Sequence, residues 1–398
     1  HLHFSRGGWE SNAAVFFITL GVYLFFVALE KPKYFVISAI SFLLSTYTYH
    51  SARVISPLLL LGLALIYKKE IFTKEKLKFI ISAIVIAGIV GIPLARSFVN
   101  SEGTSRFSGV GIFADQGPFW RVNELRGQHP NPFSLFPKVL HNKVIEYSVL
   151  FFDNWMRHFD GNFLFISGDE IQRNKVSEMG QMYLAEIPFL IIGVYFLLKN
   201  RLKNWQFLLW WLGISPIASS LTFQSPHAIR ALNMVIPLVI ITAYGLWCTT
   251  NVLLAQRSRL KIGVVGLYCC IVFGLGWNVT YYLHQYYVHY PKTYPAAWEY
   301  GFKDLVEYVK QNESKFSNIV VTDKYDQPYI LFAFYLKYPP QEFQKEAQLT
   351  PRDKFGFSTV AAFGKYSFGP IDLSSFSKVS GHSMIIGTPE EIPDSGTI

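Results

Sequence analysis

The stretch AAVFFITLGVYLFFVALEKPKYFVISAISFLLSTYTYHSARVISPLLLLGLALIYKKE (Ala13–Glu70) decides the fold, because it alternates three apolar runs with connections of two kinds. Lysine occupies the first connection, at Lys31 and Lys33, and returns after the third run at residues 68–69. The turn between the second and third runs, residues 50–53, contains no lysine. Because short loops rich in Lys and Arg stay cytoplasmic, the pattern predicts repeated membrane crossing, with residues 50–53 on the extracytoplasmic side.

The same alternation continues to about residue 290, and only 16% of the 398 residues are charged, whereas soluble domains average about 25%. A spanning helix needs about 20 apolar residues, so the second and third runs, which are shorter, could be tilted or re-entrant. The even number of crossings required between basic connections favours an all-α polytopic membrane bundle of about eight transmembrane helices. The runs are Ala13–Leu29, Tyr34–Tyr49, Val54–Tyr67, Leu77–Val99, Tyr183–Leu198, Trp205–Phe223, Leu232–Leu254 and Ile262–Tyr282.

We expect four regions along the chain. These are transmembrane helices 1–4 (residues 1–99), an extracytoplasmic loop (residues 100–182), transmembrane helices 5–8 (residues 183–283) and a small extracytoplasmic α/β domain (residues 284–398). The loop contains an amphipathic, aromatic-rich stretch, Lys138–Phe159, which predicts a helix lying along the membrane interface. The last region alternates helix-like and strand-like segments, which is typical of a small α/β domain. Its segments are helical at Ala296–Asn312 and Pro328–Tyr338, and extended at Asn318–Asp323 and Ser383–Gly387.

The net charge of +9 does not indicate a nucleic-acid-binding protein, because the basic residues lie in connections between apolar runs rather than in a stripe. The three cysteines, Cys248, Cys269 and Cys270, lie inside apolar runs and are interpreted as packing residues. The chain contains no Gly-rich phosphate loop, nucleophile elbow, HExxH or paired CxxC motif. We therefore expect no cofactor and assign no metal ligands, although the sequence leaves a divalent metal open.

Two polar groups interrupt the apolar pattern near the first three runs. Arg6 and Glu10 are four residues apart, so one helix would place them side by side. They form either a structural ion pair or a site carboxylate held by an arginine, able to contact a sugar hydroxyl or a metal. Tyr49, His50 and Arg53 lie at the turn between the second and third runs. They are either an interfacial belt with one snorkelling arginine, or a cavity lining that contacts phosphate or sugar.

A third group, His227, Arg230 and Asn233, follows Pro226 at three-residue spacing. We predict a helix start here, where the helix N-terminus attracts anions and Arg forms a bidentate contact with phosphate. The alternative is a short polar turn without a binding role. We favour a contact between His227, Arg230 and a lipid phosphate.

A fourth group, Asp153, Arg157, His158 and Asp160, lies within eight residues of the long loop. Two carboxylates near a histidine could form a general-base or metal cluster. Solvated loops collect such residues freely, and we favour this second interpretation.

Several segments together resemble the GT-C glycosyltransferases, which are polytopic membrane enzymes, and specifically the bacterial protein-mannosyltransferase-like and aminoarabinose-transferase-like group. They cover most of residues 1–290 and are patterns of moderate specificity rather than one signature. The segments are HLHFSRGGWESNAAVFFITLGVYLFF (His1–Phe26), YTYHSARVISPLLLLG (Tyr47–Gly62), FDGNFLFISGDEIQRN (Phe159–Asn174), MGQMYLAEIPFLIIGVYFLL (Met179–Leu198) and HAIRALNMVIPLVIITAYG (His227–Gly245).

The resemblance implies a multi-pass protein of the bacterial plasma membrane, with an extracytoplasmic active site. It implies a polyprenyl-phosphate-linked sugar as donor, a protein, lipid or glycan as acceptor, and arginine contacts to the phosphate that leaves. The usual catalytic acid of the group lies in its first extracytoplasmic loop, which the resemblance places before His1. We therefore expect a piece of a longer protein that is inactive alone, with an unknown catalytic base and Glu10 as a secondary acidic candidate.

Two other classes stay open. A secondary transporter would show inverted repeats and broken helices near the membrane midplane, and we find no such repeat in the sequence. A non-catalytic membrane assembly protein would lack a pocket that combines carboxylate and phosphate contacts.

Overall fold

The computed structural model describes residues 2–99, 109–255, 261–325, 327–353, 357–371 and 382–392. The chain forms two compact units, His1–Thr293 and Tyr294–Ile398. The second unit begins ten residues later than the domain expected at residue 284, because the last helix of the first unit continues through a π-helical turn, Gln285–His289, to Thr293.

Most described residues of the first unit are helical. Its α-helices are α1 (Leu2–Arg6), α2 (Glu10–Glu30), α3 (Tyr34–Thr48), α4 (Ala52–Ile66), α5 (Lys68–Ile71), α6 (Lys74–Val99), α7 (Gly117–Gly127), α8 (Leu135–Leu140), α9 (Lys143–Arg157), α10 (Ile187–Asn200), α11 (Trp205–Ile214), α12 (Ile217–Ser220), α13 (Val235–Ala255), α14 (Lys261–His284) and α15 (Tyr290–Thr293). Short 3-10 or π-helical turns lie at Ile112–Ala114, Asn162–Ile166, Gln172–Asn174, Leu184–Glu186, Leu232–Met234 and Gln285–His289.

Among the described residues, four helices are long and apolar enough to cross a membrane. They are Glu10–Glu30, Lys74–Val99, Leu232–Val252 and Gly263–Thr293. The other four apolar runs are also helical but shorter. The α3 and α4 helices have 15 residues each, which corresponds to about 23 Å at 1.5 Å per residue, against a hydrocarbon core of about 30 Å. The sixth run is divided at Pro216 into α11 and α12.

Two packing contacts hold the helices of this unit together. Phe42, Ile55 and Leu59 are almost completely buried in a core formed by α2, α3, α4 and α11. The α10 and α13 helices cross at Gly193 and Gly245, where a Cβ atom would lie 2.1 Å and 1.9 Å from the nearest backbone oxygen. Without side chains at these positions, the two helices pack backbone against backbone, as is common for small residues in membrane proteins.

The amphipathic stretch in the long loop forms two helices rather than one. The side chain of Asn142 accepts a hydrogen bond from the backbone N–H of Ile145 at 3.1 Å and caps α9, so that the chain is interrupted between α8 and α9. One side of α9 is buried, at Glu146, Asn154 and His158. A second side is apolar and exposed, because four side chains spaced by four, three and four residues share a stripe. These are Ile145, Val149, Phe152 and Met156.

The second unit contains helices and one mixed sheet. The helices are α16 (Phe302–Asn312), α17 (Pro328–Leu336) and α18 (Pro340–Glu346), and the strands are β1 (Asn318–Val321), β2 (Gln348–Leu349), β3 (Val360–Phe363), β4 (Tyr366–Phe368) and β5 (Ser383–Ile386). The strand order is β2-β3-β4-β1-β5, with β1 parallel to both β4 and β5. Val309, Ile319, Phe332 and Phe363 form its core and are at most 1% exposed.

Candidate functional site

A cavity of about 520 Å³ lies at one end of the first unit, between the start of α2, the end of α3, the Ile171–Asn174 segment and the turn before α13. We call it the polar cavity. Five of the seven residues proposed from the sequence line it. The lining consists of Trp9, Glu10, Thr48, Tyr49, His50, Ile171, Arg173, Asn174, Gln224, His227, Ile229 and Arg230.

Glu10, Tyr49 and His50 reach the polar cavity because α2 and α3 are antiparallel neighbours. Glu10 is the first residue of α2, and α3 ends at Thr48, so the two ends meet. Tyr49 is extended (φ −148°, ψ 141°) and carries the chain away from the helix. The lysine-rich connection at residues 31–33 lies at the other end of α2, 21 residues away, which corresponds to about 30 Å.

Arg6 does not pair with Glu10 on one helix, and that prediction was wrong. The helix ends at Arg6 and α2 begins at Glu10, because Gly8 between them has a φ of +66° that a continuous helix excludes. The Arg6 guanidinium instead donates a hydrogen bond to the Tyr287 hydroxyl at 3.3 Å. It also lies over the Tyr286 ring, 5.2 Å from the centroid. Arg6 is therefore a partner of the tyrosines that follow α14.

Arg53 also lies outside the polar cavity lining. Its Nε donates to the carbonyl of Thr46 at 3.2 Å, and its guanidinium lies 5.4 Å from the ring centroid of Phe98. These contacts tie α4 to the end of α3 and to α6. The side chain of Arg53 therefore does not join Tyr49 and His50 in the cavity lining, although the sequence had grouped the three residues.

The third sequence group lies on a turn rather than on a helix start, which corrects the prediction made for it. Residues 228–231 form turns, a 3-10 turn covers Leu232–Met234, and α13 begins only at Val235. His227 and Arg230 line the polar cavity, whereas Asn233 is buried and does not. The Arg230 guanidinium donates to the Thr222 hydroxyl at 2.6 Å, which holds this side chain across the turn.

Sequence reasoning missed Arg173, Asn174 and Gln224, which complete the polar lining. Arg173 and Asn174 belong to the 3-10 turn Gln172–Asn174 within the segment FISGDEIQRN, where no spacing distinguishes them from ordinary loop residues. With Arg173 included, the lining contains two guanidinium groups and one carboxylate, that of Glu10. Such a set favours an anionic ligand that also carries hydrogen-bonding groups.

The fourth sequence group divides between surface and interior. Asp153 and Arg157 form an exposed ion pair at 2.8 Å, which contributes little to stability. His158 is completely buried. Its Nδ1 donates to the carbonyl of Asn154 at 2.8 Å, and its Nε2 accepts the backbone N–H of His227 at 3.3 Å. Burial lowers the pKa of His158 to about 4, so the ring is neutral and acts as a structural link between α9 and the turn.

Asp169 is also completely buried and lies behind the polar cavity lining. It accepts hydrogen bonds from the backbone N–H groups of Ile171 and Ala228 and from the Asn174 side chain, at 2.9, 2.7 and 2.9 Å. Its Oδ2 lies 3.8 Å from Nδ1 of His227. Burial raises the pKa of Asp169, while the three hydrogen bonds oppose that shift by stabilising the carboxylate.

A second cavity, of about 330 Å³, adjoins the polar cavity at Asn174, which lines both. We call it the apolar cavity, since Val235, Leu238, Val239 and Leu283 from α13 and α14 form much of its wall. Part of its wall is polar and includes Lys175, Gln181 and Glu186.

No family model, curated protein or solved structure matches this chain. Within the described ranges, no group of three or more His, Cys, Asp or Glu side chains is arranged to hold a metal ion. The arrangement of the two cavities is therefore the basis for a functional interpretation.

Proposed function

We propose that this chain is part of a membrane glycosyltransferase that transfers a sugar from a polyprenyl-phosphate-linked donor to a protein, lipid or glycan acceptor on the extracytoplasmic side. The observation that carries the proposal is the polar cavity, in which Glu10, His50, His227 and Arg230 come together. Nothing in the apolar pattern of the surrounding helices requires these residues. The proposal includes about eight membrane crossings, with a locally thinned bilayer around the shorter helices.

The donor phosphate fits the guanidinium groups of Arg173 and Arg230. When the bond between the sugar and the phosphate breaks, negative charge builds up on the departing phosphate. Fixed cations beside the phosphate stabilise this charge. Arg230 is held in place by Thr222 and so loses little conformational freedom on binding. The volume of about 520 Å³ suits a phosphorylated monosaccharide and part of an acceptor.

The carboxylate of Glu10 supports the sugar-binding part of the proposal. It lies in the same lining as the two arginines and is exposed to solvent. We assign it to sugar hydroxyls as a secondary acidic candidate and leave the catalytic base unassigned. The adjoining apolar cavity, between two helices that can cross a membrane, suits an isoprenoid chain.

A transfer assay tests the proposal. The protein, purified with any residues that precede His1 in its natural chain, is incubated with polyprenyl-phosphate mannose or polyprenyl-phosphate aminoarabinose and a membrane extract as acceptor. We expect Arg230→Ala to lower kcat/KM about 30-fold, because a charge-assisted hydrogen bond contributes about 2 kcal/mol. Arg6→Ala, outside the cavity, serves as the matched control and should keep its activity within about twofold.

Unchanged turnover in Arg230→Ala would remove the phosphate role. Movement of an intact substrate across vesicles without bond cleavage would favour the transporter. Failure of the polar cavity to bind any polyprenyl phosphate would favour a non-catalytic assembly protein.

A further inference from the structure

Two separate segments form the cationic wall of the polar cavity. One is the loop segment Ile171–Asn174, which supplies Arg173, and the other is the turn His227–Arg230, which supplies Arg230. They are more than 50 residues apart in the chain, since Asp169 and Ala228 are separated by 59 positions. Neither segment belongs to an α-helix, so regular secondary structure does not hold the two arginines at a common distance.

Asp169 connects these segments. Its Oδ1 accepts the backbone N–H of Ile171 at 2.9 Å, which closes an Asx-turn at the start of the loop segment. Its Oδ2 accepts both the Asn174 side chain at 2.9 Å and the backbone N–H of Ala228 at 2.7 Å. Ala228 lies between the cavity-lining residues His227 and Ile229. One buried carboxylate therefore fixes both sides of the cationic wall.

We propose that Asp169 is the positioning residue of the polar cavity, which sets the separation of Arg173 and Arg230 by binding both segments at once. For its phosphate-binding consequence the proposal rests on the function proposed above. Asp169 does not itself line the polar cavity, and its contribution acts through its neighbours. The acidic side chain is required because only a carboxylate offers acceptor oxygens in both directions without a competing N–H donor.

The buried position adds to this argument. A carboxylate with no solvent exposure is costly unless hydrogen bonds compensate for the lost hydration. Three N–H donors do so here, and the imidazole of His227 lies 3.8 Å away. A general packing role could be filled by an apolar side chain of similar size at no such cost. The structure keeps the carboxylate where it binds both segments.

Asp160 offers a matched control. Its Oδ1 accepts the backbone N–H of Asn162 at 3.2 Å, which is the same type of local turn, in the same loop, at an exposed position away from the polar cavity. Asp160→Ala therefore removes a carboxylate and an Asx-turn without affecting the cationic wall. Asp169→Asn is a conservative second variant, since an amide oxygen at the Oδ2 position keeps the bonds to Asn174 and Ala228, whereas the NH2 group at the Oδ1 position cannot accept the backbone N–H of Ile171.

The experiment combines backbone hydrogen exchange with ligand binding on the full chain in nanodiscs. In Asp169→Ala we expect amide exchange to rise at least tenfold in both peptides, residues 170–174 and 227–231, and to stay unchanged within α13. We expect the Kd for farnesyl phosphate to rise at least tenfold. Asp160→Ala should keep both quantities within about twofold of the wild type, and Asp169→Asn should release one peptide only.

Exchange that rises in one peptide only in Asp169→Ala, or that rises equally through α13, would overturn the positioning role. If both peptides open as expected but the wild-type protein binds no farnesyl phosphate, Asp169 keeps its positioning role and the proposed function fails. A double-mutant comparison strengthens the test: Arg173→Ala should weaken phosphate binding less in the Asp169→Ala background than in the wild type.

Discussion

His158 Nε2 accepts the backbone N–H of His227 at 3.3 Å, although 69 positions separate the two residues in the chain. This contact joins the end of α9 to the turn that lines the polar cavity. It requires a neutral imidazole, because Nε2 must keep a lone pair while Nδ1 donates to Asn154.

This contact predicts a pH-dependent stability. The pKa of His158 in the folded protein is about 4, below its ordinary value of 6.5, so the unfolded chain binds the proton more readily. Stability is then greatest above pH 6.5 and falls as the pH drops toward 4, by up to about 3 kcal/mol for this group. His158→Gln should flatten the difference in unfolding temperature between pH 7 and pH 5, as measured by scanning fluorimetry.

Burial also lowers the pKa of His3, which acts in the same direction, so the comparison must be made between variants. His141→Gln changes a partly exposed histidine of the same loop and is the control. An identical pH dependence in wild type and His158→Gln would contradict the prediction.

Arg173→Ala is expected to weaken the binding of farnesyl phosphate as much as Arg230→Ala does, about tenfold or more, because both guanidinium groups line the polar cavity. Isothermal titration on protein in nanodiscs measures this. Arg53→Ala, which removes a guanidinium held by Thr46 and Phe98 instead, should leave Kd unchanged. Equal losses in Arg53→Ala and Arg173→Ala would argue against a localised phosphate site.

Gly245→Ala is expected to destabilise the first unit by about 2 kcal/mol or more, since overpacking of a tight contact costs about 1–3 kcal/mol. The new methyl group would lie 1.9 Å from the carbonyl oxygen of Phe189, so α10 and α13 must separate. Thermal unfolding in detergent measures the loss. Gly266→Ala is the control, because open space surrounds that position; a similar loss there would show that the crossing of α10 and α13 is not the cause.

The exposed stripe of α9 is expected to lie at the membrane interface. A nitroxide attached at Phe152→Cys, in a background with Cys248, Cys269 and Cys270 replaced by serine, should be relaxed by oxygen more than by a water-soluble nickel complex in power-saturation measurements. The same label at Asp153→Cys, on the neighbouring exposed polar side, should show the opposite preference. Equal accessibility at the two positions would place the helix in water.

Each of the eight apolar runs contains a helix, because a long run of apolar residues is a strong local signal. Breaks between neighbouring helices outside these runs depend on single residues. Gly8 separates Arg6 from Glu10, and Asn142 divides the amphipathic stretch. In the second unit β1 (NIVV) and β5 (SMII) were predicted from runs of large or β-branched apolar residues, whereas β2 (QL), β3 (VAAF) and β4 (YSF) lack such a run and were missed.

The site was predicted in part for a related reason. His50, His227 and Arg230 stood out because they interrupt apolar sequence, and such interruptions usually have a function. Arg173, Asn174 and Asp169 lie in a polar loop, where one more polar residue carries no signal. Their role depends on contacts over more than 50 positions, and one sequence alone does not contain that information.

Asn174 forms part of the wall of both the polar and the apolar cavity. A change of size or polarity at this one position alters two compartments simultaneously. With the proposed donor, a substitution at Asn174 would alter the headgroup compartment and the isoprenoid compartment together, whereas substitutions at the other lining residues act on one compartment each. Libraries that test the proposed donor specificity should therefore begin at this residue.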